Sequence, residues 1–417
     1  MLKKAGTLLS SDFLKKFSIY GFGQFFNLVT PLLVAPYIIN ICGEEGFGKI
    51  GIGISLVFIL TVLVDFSSGI NGVKEISINR EQTKEIQNKA CTLFFVKFIL
   101  LFIVFLISAI LILFIPYLHQ EKELFLLSMM ILLSQALNPT WFLQGIERFK
   151  TITIITVSGK ITYIVLVFLC VKRSEDYIFV NFYYGISSII SSIICLLWLV
   201  KYNYLAIIIP KKQAIKSLIK RDYKLTLSQL LLAIQQYSPI LIVGYFGNNV
   251  LAGHYKIIEQ IIMIFRTYLQ VLFNFIYSKV CYLIMQNPQN GIKKWFIFNG
   301  VNFLMILFGL AIVFVFAYQI LAYFNVTDIE KMVFYLRTAC LIPLILAINI
   351  PLQQLVLAFN FQRKYVNVTV FTSIFLIFSI ITAFSTWKLS GVFMLMTITE
   401  LLIVLLYLYT LRNILFK

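Results

Sequence analysis

The stretch "LFFVKFILLFIVFLISAILILFIP", Leu93 to Pro116, carries a single charge in 24 residues. About 20 apolar residues in a helix cross the ~30 Å hydrocarbon of a bilayer. The chain repeats such runs from Phe17 to Leu411, and they are continuous rather than alternating with period two. That pattern rejects an outer-membrane barrel and predicts an α-helical bundle. Over 417 residues, 60% are hydrophobic and only 12% charged, so a water-soluble surface cannot be assembled from this chain. We place helices at about 17–41, 49–71, 91–115, 124–146, 152–171, 178–200, 224–246, 251–277, 295–319, 331–357, 367–386 and 391–411. The predicted class is an all-α membrane protein with about twelve spans.

The N-terminus "MLKKAGTLLSSDFLKKF" has lysines on both sides of a weak apolar patch, which predicts an uncleaved first helix. Twenty-four of the 35 basic residues fall on the side of the bundle that holds this segment, seven on the other and four within spans. The asymmetry predicts both termini in the cytoplasm and accounts for most of the +18 formal charge. The six cysteines form no C-x-x-C pair and are read as helix-packing residues.

The longest polar interval, 201–223, contains "PKKQAIKSLIKR". Its apolar and basic residues separate onto two faces, predicting an interfacial amphipathic helix that links an N-terminal lobe (1–200) to a C-terminal one (224–417). The halves echo each other: "TPLLV" at 30–34 returns as "SPILI" at 238–242, and "GFGKI" at 46–50 as "GHYKI" at 253–257. Six helices plus six in one orientation predict parallel repeats about an axis along the membrane normal.

ATP-driven transport needs a G-x-x-x-x-G-K-[ST] loop to cradle phosphates, and the chain has none. It also lacks D-x-D, H-E-x-x-H and G-x-S-x-G, so no enzyme chemistry, metal site or cofactor is expected. The informative residues are charges inside the spans, which cost ~2.5–3.5 kcal/mol each on insertion scales and therefore face a partner or a cavity. They are Lys160, Arg266, Lys97, Arg337, Glu259, Glu400 and Asp65. Arg266 and Glu259, seven positions apart, are expected to share a helix face and pair when no ligand is bound. Amides and prolines accompany the charges: Gln24, Asn27, Pro31 and Pro36 on the first helix, Gln229, Gln235, Gln236 and Pro239 on the seventh, Pro343 and Pro351 on the tenth. Proline frees carbonyls that a wet cavity or a hinge must satisfy.

Four segments carry a family resemblance: "PLLVAPYIINICGEEGFGKIGIG" at 31–53, "LVDFSSGINGVKEIS" at 63–77, "NPTWFLQGIERFK" at 138–150 and "AGHYKIIEQIIMIFRTYLQ" at 252–270. They resemble the Wzx-type polysaccharide flippases, in the polysaccharide-transporter branch of the multidrug/oligosaccharidyl-lipid/polysaccharide (MOP) exporters. Where that family often has an arginine after the "PY" pair, this chain has Ile39, Asn40 and Ile41. The resemblance implies two six-helix lobes around a central cavity that opens alternately to each side. The implied substrate is undecaprenyl pyrophosphate bearing an oligosaccharide repeat unit, moved from the cytoplasmic to the periplasmic leaflet of the bacterial inner membrane. In that reading Arg266, Lys160, Arg337 and Lys97 meet the pyrophosphate, and Gln24 and Asn27 meet sugars. Glu259, Glu400 and Asp65 couple to protons or sodium or form ion pairs, and Asn138, Trp141 and Gln144 anchor a cytoplasmic gate. Membrane lipids and other polysaccharide-assembly proteins are the expected partners, nucleic acid is not. The alternatives are a cation-coupled multidrug antiporter of the same superfamily and a membrane glycan polymerase or ligase. The excess of buried cations over acids argues against the first, the short outer loops against the second.

Overall fold

A computed structural model describes residues 11–206, 208–359 and 361–415. Lys3, Lys4 and Lys417, three of the predicted cytoplasmic cations, lie outside the described residues, as do the side chains of Lys15, Lys16, Lys279 and Cys281. The described chain is all-helical: α1 (Ser11–Asp65), α2 (Val73–Ile78), α3 (Thr83–Phe114), α4 (Pro116–His119), α5 (Lys122–Ser128), α6 (Met130–Leu137), α7 (Thr140–Gly145), α8 (Phe149–Cys170), α9 (Tyr177–Lys201), α10 (Lys212–Phe246), α11 (Asn249–Gln286), α12 (Pro288–Val315), α13 (Ala317–Tyr323), α14 (Ile329–Ala339), α15 (Leu341–Ala358) and α16 (Gln362–Leu415). Ten helical stretches among the described residues are long and apolar enough to cross a membrane.

Two of the longest helices hide a break. At Gly43 (φ 71°, ψ 173°) α1 leaves helical geometry for one residue, and at Lys388 (φ 46°, ψ −140°) α16 does the same. The Gly43 conformation belongs to a region that is essentially glycine-only, so Gly43→Ala is expected to cost roughly 1–3 kcal/mol, measured as a lower thermal midpoint of the purified protein. The expected loop over 42–48 is therefore a one-residue hinge, with helix resuming at Glu44. The expected separate linker helix is corrected as well. α10 runs unbroken from Lys212 through Phe246, because nothing between Lys212 and Pro239 interrupts its hydrogen bonding.

The chain divides into two compact units: residues 1–42 with 52–233, and residues 43–51 with 234–417. The first unit has a core of Ile76, Leu93, Phe142, Leu199 and their neighbours, with the indole of Trp141 beside the ring of Phe94 at 5.4 Å. A polar network ties α2, α3 and the start of α10 within this unit. The Asn71 amide donates to Asp222 at 2.7 Å, and Arg221 bonds both Asp222 (2.7 Å) and Glu75 (2.8 Å). Lys89 closes on Glu75 at 2.7 Å.

In the second unit Leu352, Leu355, Val356, Tyr407 and Leu411 pack together, and Tyr255 stacks on Phe393 at 5.5 Å with rings nearly parallel. The hairpin tip 43–51 lies against α11 so closely that a Cβ on Gly48 would sit 1.8 Å from the Asn249 carbonyl oxygen. Beside that crossing the buried Glu44 carboxylate accepts from the Thr327 backbone N–H (2.7 Å) and hydroxyl (2.8 Å), and pairs with His254 at 3.0 Å.

Candidate functional site: a polar cavity in the first unit

A cavity of about 250 Å³ opens among α1, α7, α8 and α9. Helical periodicity builds each wall. Gln24 and Asn27 sit three apart on α1, so they share a face, and the Asn27 amide donates to Gln24 at 3.1 Å. On α8, Thr156, Gly159 and Lys160 fall at i, i+3 and i+4; on α9, Tyr184, Ser188, Ser191 and Ser192 fall at i, i+4, i+7 and i+8. Both patterns turn a polar stripe of an otherwise apolar helix toward one interior space.

The fourth wall comes from the break in "NPTW". Asn138 precedes Pro139, which drives it out of the helical region to φ −63°, ψ 114° and ends α6. Its side-chain oxygen then accepts from the Thr140 N–H at 3.0 Å, an Asx turn that leads into α7. Asn138, Thr140 and Gln144 thereby reach the cavity. Trp141 does not. It is 4% exposed and packs in the core of the first unit.

The cavity's cation is Lys160, which donates to the Tyr184 hydroxyl at 3.1 Å and lies 4.3 Å from the centre of the same ring. Tyr163 meets the Tyr184 ring edge-on at 5.4 Å and Phe58 meets that same ring at 6.2 Å, fixing it. No carboxylate occurs among the described lining residues. A lysine inside a span costs ~2.5–3.5 kcal/mol, and here the hydroxyl and the aromatic face of Tyr184 offset part of that cost in place of an acid.

The structure thus brings Gln24, Asn27, Lys160, Asn138 and Gln144 together and leaves the other predicted residues elsewhere. Lys97 is not among the residues lining this cavity: it is 0% exposed and pairs with Asp65 at 3.3 Å. Asp65 also accepts from Ser68 (2.5 Å) and Gln135 (2.7 Å). Arg337 is exposed on α14, against the ring and carbonyl of Phe314. The expected pairing of Glu259 with Arg266 is overturned. Lys256, one helical turn from Glu259, takes the carboxylate at 2.7 Å, because a three-residue spacing brings side chains together where seven residues separate them by two turns. Among the described residues Arg266 closes no ion pair. Glu400 is held by the Asn349 amide. Sequence reasoning missed Tyr184, Ser188, Ser191, Ser192 and Thr156. The serine register on α9 carried the signal, four hydroxyl or phenol side chains on one face of a span.

Among known proteins, 19% identity over 398 residues, 93% of this chain and 94% of the relative, links the chain to a "Putative O-antigen transporter" of Escherichia coli K12. A protein of the same name from Shigella dysenteriae is 23% identical over 240 residues, a match that spans 57% of this chain and 59% of that protein. A multidrug resistance MATE family transporter of the MOP superfamily, solved in an inward-facing conformation, superposes with a TM-score of 0.76 at 16% identity, covering 94% of both chains. At that identity the likeness speaks for the fold. The polysaccharide biosynthesis protein family model matches residues 13–287, well over half of the sequence. The chain is a multi-pass membrane protein with a MOP-type helical fold, and it belongs to the polysaccharide biosynthesis protein family.

Proposed function

We propose that this protein is a flippase that carries undecaprenyl-pyrophosphate-linked oligosaccharide repeat units from the cytoplasmic to the periplasmic leaflet of the inner membrane. Its product supplies O-antigen or capsule synthesis. The observation that carries the reading is the cavity of amides, hydroxyls and one lysine within a family of polysaccharide biosynthesis proteins. A drug-binding pocket is lined predominantly by apolar and aromatic side chains, and this one is not. In the full reading twelve spans form two lobes joined near 201–223, both termini are cytoplasmic, and alternating access moves the headgroup while the lipid tail stays in the bilayer. No catalytic step is needed. Coupling to protons or sodium is assigned to the carboxylates Glu259 and Glu400, and other polysaccharide-assembly proteins supply and receive the substrate.

Loss of the protein should leave lipid-linked repeat units in the cytoplasmic leaflet and remove surface polysaccharide; a deletion strain with normal surface polysaccharide would overturn the proposal. Arg266 is the candidate for the pyrophosphate. A guanidinium offers a bidentate fork to phosphate that an ammonium lacks. Arg266→Ala should abolish complementation of the deletion strain at normal membrane abundance, and Arg266→Lys should restore part of it. Full complementation by both variants would remove Arg266 from the substrate path.

A further inference from the structure

We infer that the cavity of the first unit is a subsite for a single sugar ring bearing one anionic group, with Lys160 as the counter-charge and Tyr184 as the residue that positions it. The inference rests on the flippase reading and names the part of the substrate that this cavity takes. Size decides the first point. At about 250 Å³ the cavity falls just under the ~300 Å³ where pockets for drug-sized ligands begin, too small for an oligosaccharide and suited to one ring of it. Gly159 keeps that space open, since a Cβ there would lie 3.0 Å from the Ser191 hydroxyl oxygen.

Chemistry decides the second. The amides of Gln24, Asn27 and Gln144 and the hydroxyls of Thr156 and Ser188 each offer both donors and acceptors. Sugar hydroxyls require that mixture, because every one of them donates and accepts. Charge decides the third. An ammonium has three protons to donate; the Tyr184 hydroxyl takes one at 3.1 Å, which leaves two for a ligand. With no acid among the described lining residues, Lys160 is not neutralised from within its cavity. One point charge suits one anionic group, whereas a pyrophosphate calls for several charges or a guanidinium fork. Two sources share this chemistry: the carboxylate of an acidic sugar, and a phosphate attached directly to the ring.

The test titrates the full-length protein in nanodiscs with glucuronate, glucose 1-phosphate, glucose and inorganic phosphate, and reads affinity by calorimetry. At least one of the charged sugars should bind roughly tenfold or more tightly than glucose, the factor expected of a hydrogen bond to a charged group. Inorganic phosphate, which lacks the ring, should bind more weakly than glucose 1-phosphate. Preference for glucuronate identifies an acidic sugar, and preference for glucose 1-phosphate a ring-linked phosphate. Lys160→Gln should erase the charged-over-neutral ratio, Lys160→Arg should keep it, and Tyr184→Phe should shrink it without removing it. Gly159→Val, which fills the cavity and leaves the lysine in place, should remove binding of all three sugars, so the inference stays testable if Lys160→Gln fails to fold. Equal affinity for glucose and both charged sugars, or unchanged sugar binding in Gly159→Val, would overturn it. Flipping by the wild-type protein in sealed vesicles, with no charged-sugar preference in the titration, would remove the subsite alone; absence of flipping in the vesicles would remove the underlying function.

Discussion

Lys97→Ala should destabilise the folded protein by ~3–5 kcal/mol, the range for removing one partner of a buried ion pair. The lysine is 0% exposed, and its nitrogen lies 3.3 Å from Asp65. Without it, the carboxylate keeps the neutral donors Ser68 and Gln135 but loses its counter-charge while only 22% exposed to solvent. Neutralising both partners behaves differently. Lys97→Met combined with Asp65→Asn leaves no buried charge, and the asparagine oxygen still accepts from Ser68, so the double variant should recover most of the loss. The check is a double-mutant cycle of Lys97→Met, Asp65→Asn and their combination, read as thermal midpoints in detergent. A single variant as stable as the wild type, or a double variant no better than the single, would show that the two charges are not coupled.

The second large effect is steric. In Gly48→Ala the new Cβ would lie 1.8 Å from the Asn249 carbonyl oxygen and 2.7 Å from the Gly253 nitrogen. Those are backbone atoms and no rotamer change relieves them, so the cost should exceed the ~1–3 kcal/mol typical of overpacking. The bonds from Thr327 and His254 to Glu44 would shift with the displaced hairpin tip. Gly300→Ala is the matched control: a Cβ there meets nothing within 4 Å, and alanine should stabilise the helix by up to ~1 kcal/mol. Equal thermal midpoints for the two variants would refute the close crossing.

Much of this architecture was legible because membrane spans announce themselves by length and composition. The breaks inside spans were less legible: the helix expected at 124–146 runs through the "NPTW" where α6 ends at Leu137, and the loop expected over 42–48 is a break at Gly43 alone. What a residue pairs with was legible only when the partner was near in sequence. Lys256 and Glu259 stand three apart, and local spacing alone favours that pair over Arg266. Lys97 and Asp65 stand 32 apart on different helices, and no periodicity joins them; each reads simply as a costly charge. The repeat "GFGKI" and "GHYKI" was visible, but not that Gly48 and Gly253 come together at one crossing. For the cavity, the amides of α1 and Lys160 stood out as polar exceptions, while Tyr184 and the serines of α9 were masked by being ordinary residues for a span. Their shared face appears only when the helix is drawn at 3.6 residues per turn.

The central claim is transport of a lipid-linked glycan, and reconstitution tests it most directly. Purified protein is placed in vesicles containing fluorescent undecaprenyl-pyrophosphate oligosaccharide, and accessibility of the glycan to an added membrane-impermeant glycan-modifying enzyme is followed with time. Flippase action predicts that glycan from the inner leaflet becomes accessible in wild-type vesicles and stays protected with Arg266→Ala. If wild-type and protein-free vesicles protect the same fraction of glycan throughout, the account is contradicted.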